Sequence, residues 1–92
     1  MFFFGKVRVN TERLTEFGQK LFKNELQRNH VKFSFCLKND PEIGLNIWEA
    51  ENRAELEKIL LTYKPYFSEI IEIKELISPQ ESFTILMKEA QA

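Results

Sequence analysis

The sequence predicts an α+β fold: a four-stranded antiparallel sheet with two helices packed on one face. Three observations predict it. The stretch from Gly44 to Pro79 reads as strand (Gly44–Ala50), helix from Asn52 to about Tyr63, a break at Pro65, and strand from Glu69 to Ile77. The N-terminal half has the same order, with a strand over Met1–Val9, a helix over Thr11–Arg28 and a strand over Val31–Lys38. Finally, 92 residues with 43% hydrophobic content and nine Phe supply one core and one domain, residues 1–92.

Taken in order, the first strand alternates Phe3, Val7 and Val9 against Phe2, Phe4, Lys6 and Arg8. Gly5 inside it marks a bulge or a close approach by another group. Asn10 or Thr11 is placed to cap a helix whose apolar stripe is Leu14, Phe17, Leu21, Phe22 and Leu26. Gly18 on that stripe is expected to allow close packing on the sheet. The second strand sets Phe33, Phe35 and Leu37 against Lys32, Ser34, Cys36 and Lys38. A turn at Asn39-Asp40-Pro41-Glu42 joins it to the third, where Leu45 and Ile47 oppose Asn46, Trp48 and Ala50.

Asn52-Arg53-Ala54-Glu55 is a capping box, and Leu56, Ile59, Leu60 and Tyr63 form the buried stripe of the helix it opens. Pro65 ends that helix. The fourth strand sets Ile71, Ile73 and Ile77 against Ile70, Glu72, Lys74 and Leu76. Ser78-Pro79-Gln80-Glu81 then combines an N-cap, Pro at N1 and Glu at N3, and Phe83, Leu86, Met87 and Ala90 follow at helical spacing. A short third helix therefore closes the order β-α-β-β-α-β-α, which suits the split βαβ arrangement.

Composition excludes several functions. A net charge of −1 and a pI near 5.9 argue against nucleic-acid binding. Gly44-Leu45-Asn46-Ile47-Trp48 is only a faint match to an RNA-recognition strand, lacking its basic residue and its aromatics. The single Cys36 excludes an internal disulfide and points to a reducing, cytoplasmic setting. The opening Met-Phe-Phe-Phe stops at Lys6 and Arg8, too soon for a membrane span or a signal sequence. Nothing predicts a metal or a dedicated cofactor.

With the aliphatic and Phe faces placed under the helices, the outer face would collect Phe2, Phe4, Lys6, Arg8, Ser34, Cys36, Asn46, Trp48, Glu72, Lys74 and Leu76. That much apolar surface predicts a cover, and a second copy of the chain is the expected one.

The run Asn46-Ile47-Trp48-Glu49-Ala50-Glu51-Asn52, then Tyr63-Lys64-Pro65-Tyr66-Phe67, an Ile-rich strand and Ser78-Pro79, resembles the second half of muconolactone isomerase. The dimeric α+β barrel proteins share this pattern. The resemblance implies a ferredoxin-like fold, a homodimer joined through its sheets, and a small-ligand cavity; the preferred reading is small-molecule binding or isomerase- or monooxygenase-like activity without a dedicated cofactor. The isomerase carries a His in its first strand where this chain has Phe4 and Gly5, so no catalytic residue is carried over.

The candidate ligand-binding residues are Lys6, Arg8, Asn46, Trp48, Tyr66, Glu72 and Lys74. Lys6, Arg8 and Lys74 would hold the carboxylate of a small organic acid, Arg8 through its planar fork. Cross-strand pairing with Glu72 is the structural alternative. Glu72 beside Trp48 is a candidate acid or base. Trp48 and Tyr66 are candidate pocket walls, with Trp48 also suited to anchor an interface. His30, the only histidine, is a candidate base or haem ligand, but its place at a helix end predicts an exposed residue. Cys36 reads as packing. The alternative to a ligand-binding protein is a non-catalytic binding or assembly module.

Overall fold

A computed structural model describes residues 1–26 and 28–91. Its strands are β1 (Phe2–Val9), β2 (Val31–Leu37), β3 (Asp40–Glu49) and β4 (Phe67–Leu76), and its helices α1 (Leu14–Phe22), α2 (Arg53–Tyr63) and α3 (Pro79–Gln91). Every strand pairing is antiparallel, in the order β2-β3-β1-β4. With α1 and α2 connecting the strands, this is the ferredoxin-like α+β fold. Among the described residues no helix is long and apolar enough to cross a membrane.

The core is a cluster of Phe3, Trp48, Leu56, Ile59, Leu60, Tyr63 and Tyr66, with Phe17 and Leu21 of α1 packed against it. The buried stripe of α2 is the expected one, Leu56, Ile59, Leu60 and Tyr63. Asn52 caps that helix, its Oδ1 accepting from the Glu55 N–H at 2.9 Å. Asn10 accepts from the Glu12 N–H at 3.1 Å and starts a 3-10 turn, Thr11–Arg13, that leads into α1. Ser78 caps α3, its Oγ accepting from the Glu81 N–H at 3.0 Å.

Helix α1 is shorter than the expected Thr11–Arg28. Asn24 adopts φ 57°, and the Asn24 and Glu25 N–H groups close back on the carbonyls of Leu21 and Lys20. That paired closure is a Schellman stop. Phe22 and Leu14 are consequently exposed, Gly18 meets no neighbour within 4 Å, and Leu26 reaches the core from beyond the helix. The hairpin turn also falls earlier than expected. Leu37 pairs with Asp40, so the loop is Lys38-Asn39 and Pro41 lies within β3.

The larger correction concerns sheet faces. Phe3 stands directly opposite Trp48, Gly5 opposite Asn46 and Val7 opposite Gly44. Residues opposite one another share a face, so Asn46 and Trp48 lie under the helices with Phe3. Ser34 and Cys36, paired with Asn46 and Gly44, follow them. Leu45, Ile47, Phe33 and Phe35, expected beneath the helices, lie instead on the outer face beside Phe4. Phe33 and Phe35 are 63% and 68% exposed. Alternation favoured the Phe33, Phe35, Leu45 and Ile47 face for the core, but pairing with β1 sets Trp48 beside Phe3 and turns the smaller Ser34, Cys36, Gly44 and Asn46 inward with it.

Candidate functional site

The corrected faces separate six of the seven candidate residues into two groups, and Tyr66 lies in the turn before β4. Lys6, Arg8, Glu72 and Lys74 occupy the outer face, where Lys6 is directly opposite Glu72, the cross-strand partner expected from sequence. Asn46 and Trp48 are buried on the helix-covered face. The cations therefore do not surround Trp48, and Glu72 is not beside its ring.

Arg8 is already engaged. Its Nη1 donates to Glu42 Oε2 at 3.1 Å and stands 3.5 Å from Asp40 Oδ2, while its Nε is 4.0 Å from Glu69 Oε1. The hydrogen bond to Glu42, supported by the charges of Asp40, Glu42 and Glu69 against a partial loss of hydration, raises the guanidinium pKa. Three carboxylates therefore surround the one guanidinium and compete with any acidic ligand for it.

Tyr66 is a fastener rather than a pocket wall. It lies in a 3-10 turn, Lys64–Tyr66, stacks on Phe17 at 5.0 Å, and carries the Arg13 guanidinium over its ring. Its hydroxyl donates to Glu16 Oε1 at 3.2 Å. The Glu16 carboxyl is held below its usual range, first by hydrogen bonds from Arg13 and then by that from Tyr66, against partial desolvation. These contacts tie α1 to the turn before β4.

Between α1 and the sheet lies a cavity of about 250 Å³. Its walls are apolar: Val7, Val9, Phe17, Leu21, Trp48 and Phe67 among them. Ser34, Cys36, Asn46 and Tyr63 are the described lining residues with polar side-chain atoms other than Trp48, and among the described lining residues there is no acid, Lys, Arg or His. Tyr63 also stands edge-on to Trp48 at 5.1 Å and fixes that ring.

Asn46 is the polar residue of consequence. It is 6% exposed, and its Oδ1 accepts from the Ser34 hydroxyl at 2.8 Å. Its amide N–H₂ borders the cavity rather than being sealed from it, and an amide in that place can donate to an acceptor. Trp48 Nε1 is the buried side-chain donor without a hydrogen-bond partner among the described residues. That nitrogen lies over Gly5, where an added Cβ would stand 2.9 Å away.

Sequence reasoning found Asn46 and Trp48 but placed them on the wrong face, and it missed Ser34 and Cys36 as lining residues. A usable signal was present: Asn46 is the one polar side chain between Gly44 and Trp48, and β1 offers Gly5 opposite it. His30 sits apart, in a cleft with Lys32, Glu49 and Glu55. Its Nδ1 is 3.0 Å from the Glu49 carbonyl, half-buried rather than free in solvent.

No family model and no curated protein matches this chain. A solved structure similar to it is that of a protein from Chloroflexus aurantiacus J-10-fl, provisionally described as an antibiotic biosynthesis monooxygenase. The identity is 15%, the match covers 84% of this chain and 90% of that one, and the TM-score is 0.46. A likeness at that level says nothing about the site.

Proposed function

We propose that this protein binds a small, largely apolar molecule, one with an exposed carbonyl-type acceptor oxygen, in the cavity between α1 and the sheet. The observation that carries the reading is Asn46: a buried residue whose amide oxygen is held by the Ser34 hydroxyl and whose N–H₂ borders a largely apolar cavity, beside the partnerless Trp48 Nε1. At about 250 Å³ the cavity is slightly smaller than the about 300 Å³ at which ligand sites usually begin. A neutral ligand suits it better than the organic acid expected from sequence, because the cations lie across the sheet. Monooxygenase-like turnover without a dedicated cofactor is the catalytic form of the same reading, with Asn46 orienting the acceptor oxygen. Isomerase-like proton transfer is less well supported, since Cys36 and Tyr63 are the only titratable groups among the described lining residues.

The chain acts in this reading as a homodimer. The outer face presents Phe4, Phe33, Phe35, Leu45 and Ile47 as one apolar surface, and a second copy of the same face is its natural cover. A reducing, cytoplasmic setting accords with an exposed, unpaired Cys36 at the cavity wall.

Trp48 is the only tryptophan and lines the cavity, so its emission reports occupancy. Titration with 1-acetylnaphthalene, checked by calorimetry, should give saturable binding that Asn46→Leu weakens about fivefold, the worth of one hydrogen bond of about 1 kcal/mol. 1-Naphthoic acid should bind less well. No saturable signal, or an affinity indifferent to Asn46→Leu, would overturn the reading. Stronger binding of the acid, lost on Arg8→Ala, would restore the carboxylate site on the outer face.

A further inference from the structure

Helix α3 does not fold back onto the body. At about 3.3 Å per residue β4 is about 33 Å long, and at about 1.5 Å per residue α3 is about 20 Å long. Laid end to end they account for the 54 Å long axis of the molecule. No residue of α3 is buried, and Phe83 and Leu86 on its apolar stripe are 65% and 59% exposed. A helix of this length is marginal alone, yet its start is capped by Ser78, whose Oγ accepts from the Glu81 N–H.

The molecule is expanded to match. Its radius of gyration is 15.7 Å, where a compact chain of this length has about 12 Å. Its accessible surface is 6882 Å², where a folded monomer of its mass exposes about 5600 Å². The difference exceeds the roughly 800 Å² that one partner contributes to a standard interface.

A groove of suitable character lies between α2 and β4. Leu60, Leu61, Phe67 and Ile70 form its apolar floor, and its volume is about 390 Å³. β4 is an edge strand, but its pairing with β1 breaks register twice over this stretch, opposite Lys6/Val7 and opposite Arg8/Val9. Such irregularities discourage the addition of another strand, leaving a surface better suited to a helix. The groove sits at the start of β4, whereas α3 departs from the other end and points away. Its own α3 does not reach it.

We propose that the stripe Phe83, Leu86 and Met87 of α3 docks into the α2–β4 groove of a second copy of this chain, reciprocally, as an exchanged arm. The exchange does not rest on the cavity ligand, although Phe67 lines both the cavity and the groove. In a Cys36→Ser background, Leu61→Cys and Met87→Cys together should give, on mild oxidation, a disulfide-linked dimer on a non-reducing gel. Neither single cysteine should give as much. Sedimentation velocity on full-length Leu86→Lys and Leu61→Lys chains, both altered at exposed positions, should show association weakened about tenfold or more in each. An equimolar mixture should re-associate more tightly than either variant alone, since one arm and one intact groove remain. An intramolecular disulfide, association indifferent to Leu86→Lys, or a wild-type monomer at high micromolar concentration would each overturn the exchange.

Discussion

At the scale of single residues, Gly5 and Trp48 explain each other. The indole is the largest fully buried side chain, and it fits because the strand beside it has no Cβ to meet its Nε1. Ile73 is close on the other side, its Cδ1 3.4 Å from where a Cβ would stand, so the ring has little room to yield. Gly5→Ala should therefore destabilise the protein by about 1–3 kcal/mol through overpacking, although alanine is otherwise tolerated in a strand. Urea unfolding followed by circular dichroism measures this, and Trp48 emission should shift with it. A midpoint equal to wild type would show that the indole turns aside without cost. The sequence made Gly5 legible as a close approach, but not what approached it, since that depends on which face Trp48 takes.

Elements were legible to the degree that one residue type marked their ends. Asn52 and Ser78 sit before Glu at the third position, and both helices start where that pattern says. The end of α1 carried a subtler mark. Lys20, Leu21, Phe22 and Leu26 continue a helical rhythm past Asn24, but Asn24 tolerates the left-handed conformation and the chain takes it. Lys20 and Glu25 then approach to 4.0 Å across the stop, in the place where a hydrophobic contact often closes this motif. Asn24→Ala should cost about 1 kcal/mol, because a Cβ without a helpful side chain is penalised at positive φ, while Asn24→Gly should be neutral or slightly stabilising. Comparing the two in thermal melts separates backbone strain from loss of the Asn side chain. Equal losses in both would place the effect in the side chain. The hairpin failed for a different reason: Phe33, Phe35, Leu45 and Ile47 make the more apolar face, yet the pairing of Trp48 with Phe3 puts the other face under the helices.

At the scale of the whole molecule, the ferredoxin-like order leaves the sheet apolar on both sides. The helices cover one side only, where the cavity and Asn46 lie. On the other, Phe4, Phe33, Phe35, Leu45 and Ile47 have no covering element, and α3 adds a second exposed stripe at the far end of β4. If a second copy covers the sheet, a charge at its centre must be buried unpaired or the copies must part. Phe35→Lys should weaken association about tenfold or more while leaving the melting temperature of the dilute, dissociated chain near wild type, because Phe35 is already exposed there. The sheet face and the α3 groove are separate surfaces, so Phe35→Lys and Leu86→Lys should combine additively in association free energy. Phe35 is also absent from the cavity lining, so Trp48 titrations at low protein concentration should be unchanged by Phe35→Lys if the cavity is complete within one copy. A coupled loss of association and ligand affinity would instead mean that the sheet-face partner helps to hold the cavity in shape.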